Sequence, residues 1–242
     1  MKITLLLLTL ILMPFSGIGQ NEKQLDSTAI YILDKMSAVI SQLHSASLSL
    51  ESSVDELNEY GELEKHYGTN EVIFSGPSKM SVQIDGDNGH IGYWYDGEFI
   101  SYYNYDENNY VTLEAPDSTL TMISEMHETY DFQFPAADFF YPTFVDDLME
   151  NFDTISYLGV KSIDGQECFN IMCFNASMNV QLWISNEEQM LPRRLVIIYK
   201  NENNKQYEAT FTEWQLNPMV PDAIFDFLPP PHAKLISILA KS

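Results

Sequence analysis

The sequence predicts an α+β fold: a long, curved antiparallel sheet of about eleven strands, wrapped around helices on its concave face. Three observations lead there. Val180 to Leu216 holds three short apolar runs separated by turn-forming clusters. Most other apolar runs also alternate with period 2, as half-buried strands do. Finally, the order along the chain is helix, strands, helices, strands, which places helices together on one side of a sheet instead of interleaving them as crossovers.

Leu25 to Leu43 is the first helix. Ala29, Leu33, Met36, Ile40 and Leu43 recur at spacings of four and three, forming one apolar stripe, and Asp26 or Ser27 supplies the cap. From Ser47 the pattern becomes that of a strand, and the polar run through Tyr60-Gly61 is read as a hairpin end before Tyr67 to Phe74. Met80, Val82 and Ile84 alternate with Ser81 and Gln83, and Asp96-Gly97 is a strong hairpin signal before Glu98 to Tyr103. Thr119 to Tyr130 and Phe139 to Phe152 return to helical spacing. Ile155 to Val160 and Cys168 to Phe174 add strands before the closing meander, in which Leu195 to Tyr199 is apolar on both faces and reads as a well-buried middle strand. The proline-rich end, through Pro229, Pro230 and Pro231, is read as a chain wrapping closed over an edge.

At the start, Lys2 precedes an apolar run from Ile3 to Met13, with Gly17 and Gly19 ahead of a cut. This describes a secretory signal peptide over residues 1–19, followed by one domain over 20–242. No cysteine stands near the cut, so no lipid anchor and no stable membrane anchor is expected, and the compartment expected is the periplasm. Lys+Arg number 12 against Asp+Glu 35, for a net charge of −23. Such a surface repels phosphate backbones and anionic headgroups, which disfavours nucleic acid as a partner. The two cysteines, Cys168 and Cys173, lie five apart on one strand. They therefore point to opposite faces about 16 Å apart, beyond the ~7 Å that a disulfide spans.

No catalytic motif is found. Gly-x-Ser-x-Gly is absent. His127-Glu128 begins like a zinc helix, but Asp131 stands where the second histidine belongs. Asp85 to Gly89 resembles a calcium loop, yet His90 occupies the position that needs glycine, so a hairpin turn is expected. The aromatic run from Tyr93 to Tyr110 fits either cross-strand pairing or a ligand platform. Arg193-Arg194 fits pairing with acidic neighbours, the reading preferred, or an anion contact. No metal and no cofactor is expected.

Several segments together resemble a known family: Leu33 to Ile40, Gly76-Pro77-Ser78-Lys79-Met80, Tyr95-Asp96-Gly97, Leu182-Trp183-Ile184, Leu191 to Tyr199 and Phe225 to Pro230. The set resembles a domain-of-unknown-function family of predicted bacterial periplasmic proteins. That family is similar to the LolA-like lipoprotein-carrier superfamily, whose fold is an open half-barrel holding helices in its concave face. The resemblance implies a hydrophobic cavity suited to acyl chains, and it carries over no catalytic residue. Only Lys79 is basic near the Gly76-Pro77 turn, where relatives carry more basic residues.

The function expected is thus a binding or carrier protein for a lipophilic ligand, such as an acyl chain, lipid or lipoprotein. The alternative is a non-enzymatic protein-interaction or envelope-sensing module with an envelope protein partner and no cargo. The inward apolar positions expected to bind are Met36, Val39, Ile40, Met80, Val82, Ile84, Leu182, Ile184, Ile197 and Phe211. Those side chains either line a cavity or fill a closed core.

Overall fold

A computed structural model describes residues 23–241; the signal-peptide reading falls outside the described residues. The chain opens with a two-residue strand, β1 (Gln24–Leu25), and the helix α1 (Ser27–Ser41). The helix is shorter than expected because Asp26 starts it: its carboxylate accepts the N–H groups of Thr28 at 2.8 Å and Ala29 at 3.4 Å, two donors that the first turn leaves unpaired. Leu25 belongs to β1 instead.

Six strands follow: β2 (Ser45–Leu57), β3 (Leu63–Ser75), β4 (Lys79–Gly86), β5 (Gly89–Tyr95), β6 (Phe99–Asn104) and β7 (Asn109–Glu114). The β2–β3 hairpin stays in register from Ser45↔Ser75 to Leu57↔Leu63. Asn58 closes it by accepting the N–H groups of Tyr60 and Glu62. At the Asp96-Gly97 turn, Asp96 accepts from Glu98 and Phe99, while Gly97 takes a φ of 106° that side chains resist.

Helix α2 (Thr119–Tyr130) has the bounds its periodicity predicts. The next helical region is broken into a 3-10 turn at Ala137–Phe140 and helix α3 (Phe144–Asn151). Pro142 accounts for the break: it lacks an N–H and pushes Tyr141 into the extended region, where ψ is 129°. Five more strands, β8 (Thr154–Ile163), β9 (Gln166–Phe174), β10 (Met178–Ser185), β11 (Pro192–Tyr199) and β12 (Lys205–Leu216), form a second meander, and β13 (Lys234–Leu235) ends the sheet.

The two meanders join through β12 and β2, paired from Tyr207↔Val54 to Leu216↔Ala46. The result is one curved, unclosed sheet in the order β1-β8-β9-β10-β11-β12-β2-β3-β4-β5-β6-β7-β13. It has 13 strands, not about eleven, and it is mixed. The long strands β2 to β12 are antiparallel, and the two short additions pair in parallel, β1 with β8 and β13 with β7. Those additions blunt both edges, which would otherwise offer unpaired backbone groups. The proline-rich tail does wrap an edge. Phe227 packs on Trp94, Tyr103 and Tyr110, β13 adds to β7, and Lys241 reaches Asp131 at the end of α2.

Apolar side chains of the three helices and of the concave sheet face form one core cluster. Both cysteines are free and buried.

Candidate functional site: a cavity on the concave face

The alternation of β-strands decides which side chains face inward, and the register decides what they meet. Across β10, β11, β12 and β2, one inward row runs Leu182, Leu195, Ala209, Ser52 and the next runs Val180, Ile197, Tyr207, Val54. These rows form the floor of a cavity of 1390 Å³. Ordinary small-molecule pockets are about 300–1,000 Å³, so this one is large. Its roof comes from Leu33 on α1, from Phe134 to Tyr141 in the connection between α2 and α3, and from Phe144, Leu148 and Phe152 at α3.

The cavity grades from apolar to polar along the strands. Leu50 and Phe211 pair at one end of the floor, both about 1% exposed. Two and four residues further along β2 come Ser52 and Val54, and then Glu56. Beside them, Tyr207 is followed by Lys205, and Ile197 by Tyr199. Asn70, which is buried, donates to Ser52 at 2.9 Å, so this polar pair deep in the wall is satisfied without a ligand.

At the polar end, burial holds the Tyr207 phenol up at about 12, with Tyr199 and Asp138 adding to the effect. Burial also raises Tyr199. Both therefore remain neutral hydrogen-bond donors at neutral pH. Desolvation also raises Asp138, although the residue as a whole is exposed; nearby His127 opposes the shift and Asp147 adds to it. Cys173 lines the apolar wall, and burial lifts its thiol to about 12. Among the described residues, no histidine lines the cavity, and no group of three or more His, Cys, Asp or Glu side chains is placed to hold a metal.

Of the ten residues expected at the site, Ile84, Leu182, Ile197 and Phe211 stand on the cavity wall. Met36, Ile40, Met80, Val82 and Ile184 are 0–3% exposed in the solid core, and Val39 packs against it. Their inward direction is as read, but they lie toward the filled end. Along β4 the step from Met80 through Val82 to Ile84 passes from packed core to open wall, as does the step along β10 from Ile184 to Leu182. Helical spacing does place Phe144, Leu148 and Phe152 on one face, but it could not supply Phe134, Asp138 or Phe139, which come from the connection between α2 and α3.

One sequence signal did mark the cavity, although its reading needs correction. Strand β11 is not well buried: Arg193 to Tyr199 are all half-buried. One face of Leu195 to Tyr199 looks into the cavity and the other outward, so an apolar strand flanked on both sides remains accessible. Arg194 answers its neighbours, donating to Thr210 at 3.2 Å and lying 3.5 Å from Glu208. The aromatics divide between the faces: Tyr93 and Tyr102 pack on Phe132 inside, while Trp94 and Tyr103 meet Phe227 outside.

Over residues 29–239 the chain matches the family described as "Predicted periplasmic protein (DUF2092)". The chain belongs to this family. Its described residues include no helix long and apolar enough to cross a membrane. No curated protein matches the sequence.

Among solved structures, the Mycobacterium tuberculosis lipoprotein LppX is similar at a TM-score of 0.50 and 13% identity, over 81% of this chain and 98% of that one. An uncharacterized conserved protein from Thermus thermophilus aligns at 0.49 and 11%, over 86% and 98%. A LolA superfamily protein from Nitrosomonas europaea aligns at 0.36 and 10%, over 82% and 97%. Identities this low speak to fold alone. The half-barrel architecture expected from the resemblance is the one observed.

Proposed function

We propose that this DUF2092 member is a periplasmic binding or carrier protein whose ligand is an acyl chain, borne by a lipid or a lipoprotein and held between sheet and helices. The observation that carries the reading is the 1390 Å³ cavity with a floor of Leu50, Val180, Leu182, Ile197 and Phe211. The space is a cleft partly open to solvent, and sites for lipophilic ligands are concave and mostly apolar. An apolar space this large invites an apolar occupant.

The expected affinity is moderate. Burying each methylene contributes ~0.8 kcal/mol, so ten give about 8 kcal/mol. Immobilising the chain offsets part of that, which places about 1 μM at the tight end of the range for such a chain. Binding rather than catalysis is the activity proposed, on the strength of the apolar floor.

Titration with phenylnaphthylamine, a neutral fluorophore that brightens in apolar surroundings, tests the reading. Saturable uptake that glycerol monododecanoate reverses supports it. A folded protein that takes up neither would defeat the carrier reading and favour the protein-interaction module.

A further inference from the structure

The polar end of the cavity is strongly biased in charge. Glu56, Asp131, Asp138, Asp147 and Glu202 line it, and among the described residues Lys205 is the one cation on the wall. Lys241 neutralises Asp131. Asp147 accepts the Thr143 hydroxyl at 2.8 Å, and Glu56 accepts the Asn88 amide at 3.2 Å. Neither partner brings a positive charge to offset theirs. Four carboxylates thus face a single ammonium, on a protein whose net charge is −23.

The strand register fixes where a ligand's head must sit. A chain lying on the Leu182 and Val180 rows meets Tyr199, Lys205 and Glu56 next, because those residues continue the same strands inward-facing. Its head therefore lies among the carboxylates and beside the Tyr199 and Tyr207 hydroxyls. An added anion there would be repelled by these carboxylates, which are exposed, so the repulsion is strong only where salt does not screen it. It would also push the Asp138 carboxyl in the direction in which it is already shifted, upward.

We infer that the cavity selects acyl chains whose head carries no negative charge, so that neutral esters and cationic amphiphiles bind while free fatty acids and acidic lipids are rejected. This rests on the acyl-binding reading above. The hydroxyls of Tyr199 and Tyr207 would serve ester or amide oxygens, and the carboxylates would accept from hydroxyl or ammonium donors.

The test compares three ligands of equal chain length for displacement of phenylnaphthylamine: dodecanoate, glycerol monododecanoate and dodecyltrimethylammonium, each below its micelle concentration. At about 0.01 M salt, where screening reaches only ~30 Å, dodecanoate should require about tenfold more than the neutral ester. That gap should close at about 1 M salt, and it should narrow at low salt in a variant carrying Asp138→Asn and Glu202→Gln. Dodecanoate displacing as well as the ester at low salt would overturn the selectivity and leave the cavity reading standing. If none of the three displaced the fluorophore, or it failed to bind at all, both readings would fall together.

Discussion

Filling the cavity floor should abolish acyl binding without unfolding the protein. Ala209 is the position to use. It is 1% exposed, lies at the middle of β12 between Leu195 and Ser52, and forms part of the cavity wall. In Ala209→Trp the indole would be directed toward the cavity, and because Ala209 is itself covered by its neighbours the variant should also lose ~1–3 kcal/mol of stability. If the ring displaces about four methylenes of a bound chain, the loss is ~3 kcal/mol at ~0.8 kcal/mol each. That corresponds to about 200-fold in Kd. Titration of wild type and variant with phenylnaphthylamine measures the affinity, and thermal unfolding of each checks the fold. A variant that remains folded at the assay temperature and still binds within about twofold of wild type would show that the probe sits elsewhere, and the cavity would lose its claim to the ligand.

Other expectations follow from the same geometry. Met36→Ala should cost ~2–5 kcal/mol in urea denaturation, because Met36 is fully buried in the packed end, while probe affinity stays near wild type. Cys173 should resist iodoacetamide at pH 8 until urea unfolds the chain, because burial keeps it a neutral thiol and the thiolate is the reactive form; rapid labelling of the native protein would contradict this. Asp55 is buried, which by itself raises its pKa, but the Lys65 ammonium at 2.7 Å and the Gln206 N–H at 2.9 Å outweigh that and hold it below the usual range. Its folded pKa is depressed, so its contribution is present above the unfolded value of ~3.9 and is lost as pH falls through the folded value. Asp55→Asn should therefore lower stability at neutral pH and flatten its decline below about pH 4. Parallel stability curves for the two proteins would refute the assignment.

The sheet was legible in the sequence because most strands alternate cleanly and the turns carry Asp-Gly, Asn and Pro. The added edge strands β1 and β13 were not legible: two residues are too few to show a period, and their pairing is set by where the chain ends happen to run. The site was legible in direction but not in depth. Met80, Val82 and Ile84 share one face of β4, and nothing in their spacing tells that the first two are packed under side chains while the third is not. That difference depends on where the helices end above the sheet. Position 142 decides part of it, since Pro142 breaks the second helical region and leaves Phe134 to Tyr141 as an irregular roof. The half-buried apolar strand Leu195 to Tyr199 is the one local pattern that marks the opening, and only the partners across β10 and β12 give it that meaning.

The most direct measurement is a native mass spectrum of the protein purified without detergent, set beside the denatured spectrum and beside the Ala209→Trp variant. An acyl-bearing adduct should ride on the native wild-type protein, leave on denaturation and be missing from the variant. Bare protein mass in every spectrum, together with no uptake of added glycerol monododecanoate, would contradict it.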